Sequence, residues 1–183
     1  MYQMDFLNYE FLGNSITDYL YFSASFLIGL LLVIPIRLFI SKLLYKLFGK
    51  DNDQNDNEKF NSLLKKPLQY FLTLLVLYFS VQFVSLPEFL SSTEEGGLNL
   101  VEYFDKGYNL LLLITIFWTI IRSVDFIGFK LKNKALKTES KVDDQLIPFA
   151  IDIAKVLTIV LALVMILGNV FDVNVTALVT GLG

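Results

Sequence analysis

Four long apolar runs, each close to the length of a bilayer crossing, constrain this chain more than any other feature. Tyr19 to Ile36 is 18 residues without a charge, and beyond Arg37 the run continues through Ile40. Pro67 to Leu86 is charge-free for 20 residues. Gly107 to Ile121 is charge-free for 15, and its apolar pattern continues past Arg122 and Asp125 to Phe129. Pro148 to Leu167 is interrupted only by Asp152 and Lys155. A spanning helix needs roughly 20 mostly apolar residues, about 30 Å of helix. The composition agrees, since 55% of the residues are hydrophobic, against roughly 45–50% in soluble domains. The sequence therefore predicts an all-α membrane protein with four transmembrane helices in two hairpins, followed by the first turns of a fifth helix.

The predicted boundaries run as follows. A tail over 1–18 precedes helices over 19–48, 67–86, 107–129 and 148–167. A polar linker over 49–66, a loop over 87–106 and a basic loop over 130–147 connect them. A turn over 168–174 leads to the fifth helix at 175–183. Those nine residues would reach only about 13 Å, so the sequence reads as stopping inside an element.

Charge gives the expected orientation. Loop one and its flanks hold Arg37, Lys42, Lys46, Lys50, Lys59, Lys65 and Lys66, and the third connection holds Arg122, Lys130, Lys132, Lys134, Lys137 and Lys141. Those are 13 of the 15 basic residues; Lys106 lies on the opposite side and Lys155 within a span. The tail and the second connection carry Asp5, Glu10, Asp18, Glu88, Glu94, Glu95, Glu102 and Asp105. By the positive-inside rule the N-terminus is periplasmic and loops one and three are cytoplasmic. With no basic n-region or small-residue cleavage site ahead of it, the first span reads as an uncleaved anchor.

Few residues offer chemistry. The chain has no Cys and no His, which removes disulfides, Cys/His zinc sites and imidazole-based triads. Its net charge of −3 argues against a generally basic nucleic-acid binder. No cofactor, metal site or small-molecule substrate is expected, and an enzyme is the remotest class. Asp143 and Asp144 precede Pro148, where the fourth helix is expected to begin, and read as helix-start capping residues. Asp152 and Lys155 are three apart inside a span, and Arg122 and Asp125 repeat that spacing. Both read as intrahelical pairs or lipid-interface anchors. The Lys-rich third connection is expected to meet anionic lipid. Pro67 and Pro148 are placed at first helical positions, and Pro35 should kink the first span. Ala177 and Gly181 have small-xxx-small spacing, which allows close helix packing in lipid.

Two stretches read in order carry a resemblance. Thr138-Glu139-Ser140-Lys141-Val142-Asp143-Asp144-Gln145-Leu146-Ile147-Pro148-Phe149 opens the fourth span. Leu167-Gly168-Asn169-Val170-Phe171-Asp172-Val173-Asn174 then leads into Val175-Thr176-Ala177-Leu178-Val179-Thr180-Gly181-Leu182-Gly183. This pairing resembles the MscS-like small-conductance mechanosensitive channels, in the subgroup with an extra N-terminal transmembrane hairpin. The close match covers about a quarter of the chain. It implies a homoheptamer in a bacterial inner membrane, with the fifth helix lining a pore through its small residues Ala177, Gly181 and Gly183. The helices before it would face lipid and respond to tension, releasing ions and small solutes in osmotic downshock. The sequence departs from that pattern where it ends, at Gly183, with the pore helix just begun. The competing expectation is a non-channel membrane scaffold or accessory subunit whose C-terminal segment packs on a partner.

Overall fold

The computed structural model describes residues 9–48, 54–87, 99–135 and 143–182. Among them are a small hairpin, β1 (Glu10–Phe11) and β2 (Asn14–Ser15), and five helices. These are α1 (Ile16–Phe48), α2 (Gln54–Val81), α3 (Leu100–Ala135), α4 (Asp143–Asn169) and α5 (Val175–Leu182). Among the described residues three stretches are long and apolar enough to cross a membrane: Ile16–Leu43 in α1, Leu100–Ala135, and Gln145–Asn169 in α4. By length and composition the chain reads as a helical membrane protein.

The second expected span is the one that differs. α2 ends at Val81 because the chain turns there, with the Phe83 N–H donating to the Ser80 carbonyl (3.2 Å) and the Val84 N–H to that of Val81 (3.0 Å). Its charge-free part is therefore Pro67–Val81, about 22 Å of helix, and any longer stretch of it takes in Lys65 and Lys66. Four uninterrupted spans plus a pore helix is thus not the pattern observed.

The expected linker over 49–66 is also corrected, since α2 already begins at Gln54. Phe60, Leu64 and Leu68 recur every four residues among its charges, which is the spacing of one helix face. All three are buried. Pro67 and Pro148 consequently lie inside helices, not at their first positions. Pro67 is buried in the α2 interior, and its ring nitrogen cannot donate to the Leu63 carbonyl. Asp143 and Asp144 become the first two residues of α4, not residues ahead of it; their side chains lie outside the described residues. α1 runs through an exposed Pro35 as helix.

The helices pack mainly on their neighbours in sequence: α1 on α2, α2 on α3 and α3 on α4. The Arg- and Lys-rich ends of α1, α2 and α3 come together beside the start of α4 and form the basic end of the bundle. The opposite, acidic end holds the hairpin and the α4–α5 turn. One buried core lies at the basic end. There Phe60, Leu64, Leu68 and Phe126 form a buried cluster with Ile40, Tyr45 and Leu63 around it. The Phe60 and Phe126 rings meet edge-on at 4.8 Å. Toward the middle of the bundle the helices instead present apolar side chains outward, among them Leu31 (75% exposed) and Leu157 (58%). Outward apolar faces suit lipid, whose tails are as apolar as the side chains they touch, whereas water at the basic end drives apolar groups together.

Two glycines set how closely the hairpins close. A methyl group on Gly29 of α1 would overlap Val76 of α2, and one on Gly128 of α3 would overlap Ile151 of α4. At the acidic end the β1–β2 turn uses Leu12 (φ +51°) and Gly13 (φ +77°), the positive-φ pair that a two-residue hairpin requires. The buried Asn14 side chain then acts as a peptide group toward Ser85. Its amide donates to the Ser85 carbonyl and its oxygen accepts the Ser85 N–H, both at 2.7 Å.

Candidate functional site

The spans contain few charges, and the structure gathers two cations around one carboxylate. Asp125 and Arg122 lie on the same side of α3, and Arg122 Nη1 donates to Asp125 Oδ2 at 2.9 Å. The other oxygen, Oδ1, receives the ammonium of Lys155 from α4 at 2.5 Å. The expected intrahelical pair Arg122–Asp125 is therefore present. The expected pair Asp152–Lys155 is replaced by a link between helices. The reason is reach: α4 runs antiparallel to α3 with Gly128 against Ile151, and this register sets Lys155 opposite Asp125. Asp152 lies one turn nearer the basic end, exposed, with no ion pair among the described residues.

The cluster is neither deep nor fully wet. The Asp125 side chain is 18% exposed, Lys155 32% and Arg122 42%. Its depth can be read along α3. From Lys106, at the acidic end, to Asp125 is 19 residues, about 28 Å of helix. With Lys106 at one edge of a hydrocarbon layer about 30 Å thick, the cluster would fall at the other.

Lys106, alone among acids along the chain, ties the acidic end of the second hairpin. It pairs with Glu102 one turn before it and with Asp172 in the α4–α5 turn, each at 2.8 Å. The second hairpin is thus cross-tied by charge near both ends. The visible signal is that Lys106 stands alone among acids on its side of the chain. The first hairpin has a different tie, a 3.0 Å hydrogen bond from Arg37 Nη1 to Gln69 Oε1. Gln69 draws no notice in the sequence because it sits two residues inside a charge-free, mostly apolar run.

The turn after α4 is built by its own backbone. The Val173 N–H donates to the Leu167 carbonyl at 3.0 Å, and Asp172 takes the left-handed conformation (φ +53°), which Asp tolerates better than most residues. Asn174 then caps α5, its side-chain oxygen accepting the Ala177 N–H at 3.0 Å. Ala177 and Gly181 are exposed, and nothing stands within 4 Å of where a Gly181 Cβ would be. Gly183 lies outside the described residues.

Between α2 and α3 at the acidic end lies a cleft of about 580 Å³, lined by Tyr78, Val81, Phe104, Asp105, Tyr108 and Asn109 among others. The Tyr78 and Tyr108 rings stack at 5.7 Å, and the Tyr108 hydroxyl donates to the Leu74 carbonyl at 2.9 Å.

No protein-family model, curated protein or solved structure matches the chain.

Proposed function

We propose that the chain is the membrane-embedded, tension-responsive part of a mechanosensitive channel of the MscS-like kind. In this reading α1–α4 are four spans in two hairpins, with the N-terminus on the periplasmic side of a bacterial inner membrane. α2 spans with help from Phe83 and Leu86 beyond its last turn, while Lys65 and Lys66 snorkel to the headgroups. α5 is the start of a pore-lining helix, and several copies form a closed ring, a heptamer by resemblance.

The observation that supports this reading best is the unit of α4, turn and α5. A span-length apolar helix reverses through a backbone-fixed turn into a capped helix whose small residues face open space. Small faces of that kind let several helices crowd around an axis. The row of helices with outward apolar faces adds a means of sensing, because thinning of the bilayer changes the tilt such helices prefer. Pro35, inside a lipid-exposed α1, is where that hairpin would bend.

Pressure-clamp patch recording of the full-length protein in giant liposomes tests the reading. Step-like currents that appear with suction and vanish on its release are expected. Silence up to the lytic pressure would overturn it and leave a scaffold or accessory subunit. Mass measurement of nanodisc-extracted protein adds a second arm, with a ring-sized assembly expected and a monomer or dimer counting against the pore.

A further inference from the structure

We infer that the Arg122–Asp125–Lys155 cluster holds the phosphate of an anionic phospholipid from the basic-end leaflet. This rests on α3 and α4 lying in a membrane and not on the channel reading. Charge balance is the starting point. Two cations share one carboxylate, and both carboxylate oxygens are already engaged. The cluster keeps one net positive charge at the edge of the hydrocarbon, where an unbalanced charge is costly. Asp152, three residues before Lys155 on α4, offsets it only in part, being exposed one turn nearer the basic end with no ion pair among the described residues.

The donors match a phosphate. Arg122 spends Nη1 on Asp125, and among the described residues its Nε and remaining guanidinium N–H groups have no acceptor. A guanidinium fork of this kind suits phosphate oxygens. The Lys155 ammonium has further N–H groups beyond the one directed at Asp125. Both side chains are partly exposed, 42% and 32%, so a headgroup can reach them. The depth fits as well: with Lys106 at one hydrocarbon edge the cluster lies at the other, just inside the level of the lipid phosphates. A phosphatidylglycerol headgroup brings one negative charge and neutralises the site; a zwitterionic headgroup does not.

Native mass spectrometry of the detergent-purified protein tests this, titrating phosphatidylglycerol, phosphatidylcholine of the same chain length, and glycerol 3-phosphate. Wild type should hold one phosphatidylglycerol more tightly than phosphatidylcholine, and glycerol 3-phosphate should not displace it at equal concentration. Arg122→Gln should weaken phosphatidylglycerol binding about tenfold, the size of one charge-assisted hydrogen bond. Asp125→Asn, which frees both cations from their internal partner, should strengthen it. Unchanged binding in Arg122→Gln would overturn the proposal, as would displacement by glycerol 3-phosphate, which would point to a soluble anion. A fall in Asp125→Asn would mark the cluster as a purely structural ion pair. If Arg122→Gln does not fold, Asp125→Asn decides alone by the direction of its change.

Discussion

The two hairpins of this protein are held by different chemistry. α1 and α2 meet at a glycine notch, Gly29 against Val76, and add one hydrogen bond from Arg37 to the neutral Gln69. α3 and α4 have their own notch, Gly128 against Ile151, but add ion pairs near both ends, Lys155 with Asp125 and Lys106 with Asp172. In lipid, apolar faces gain little by choosing one another over the acyl chains. Register must then come from shape and from polar contacts. The second hairpin cannot slide without separating charges at two levels. The first has shape in the middle and the Asn14–Ser85 bridge at its acidic end. If membrane tension shifts helices past one another, the first hairpin is the one free to move.

The largest expected effect lies where the two hairpins join. Phe126 of α3 is fully buried against Phe60 of α2 and Tyr45 of α1. Phe126→Ala should lower stability by about 3–5 kcal/mol, measured by reversible unfolding in mixed micelles. Phe117→Ala, inside the second hairpin's own cluster with Leu113 and Val170, should cost less, because an acyl chain can fill part of the space. Equal losses would mean that the basic-end core owes nothing to the exclusion of water. Next comes the polar tie of each hairpin. Asp125→Asn strands two cations and should cost about 2 kcal/mol in zwitterionic lipid. Gln69→Leu removes only a neutral acceptor and should cost below about 1 kcal/mol. The reverse order would show that charge does not pin the second hairpin.

Much of the architecture is legible in the sequence because it is written as unbroken runs. α3 and α4 fall where their apolar stretches do, extended by polar turns at their ends. α2 is harder to read for two opposite reasons. At its start, Phe60, Leu64 and Leu68 are diluted by charges, so composition suggests a linker although their spacing of four is helical. At its end, Gln82-Phe83-Val84-Ser85 continues the apolar run, so composition hides a turn. The cluster was half legible. Arg122 and Asp125 are neighbours along one helix, whereas the partner of Lys155 lies across the hairpin and depends on a register that only packing defines. The notches at Gly29 and Gly128 and the Asn14–Ser85 bridge leave no local trace, since each needs a contact with a residue far away in the chain.

The glycine notches sharpen the comparison further. Val76 is β-branched, and its stiff χ1 leaves it little room to turn away, so Gly29→Ala should cost about 1–3 kcal/mol. Ile151 meets Gly128 mainly through its flexible terminal carbon, so Gly128→Ala should cost below about 1 kcal/mol. Equal losses in the unfolding experiment would show that shape constrains both hairpins alike.

The smallest effect should separate the two ion pairs of the second hairpin from each other. Lys106, Glu102 and Asp172 are on the water side of the acidic end, with side chains 34%, 56% and 72% exposed. Asp125 and Lys155 are 18% and 32% exposed at the hydrocarbon edge. Mobile ions screen the first group and reach the second poorly. Lys106→Gln should therefore destabilise slightly in dilute buffer and not measurably in about 0.5 M salt, where the Debye length falls to a few ångströms. The Asp125→Asn loss should persist at both. If salt erased the Asp125→Asn loss as well, the cluster would be water-exposed, its depth at the hydrocarbon edge would be wrong, and the second hairpin would be as free to slide as the first.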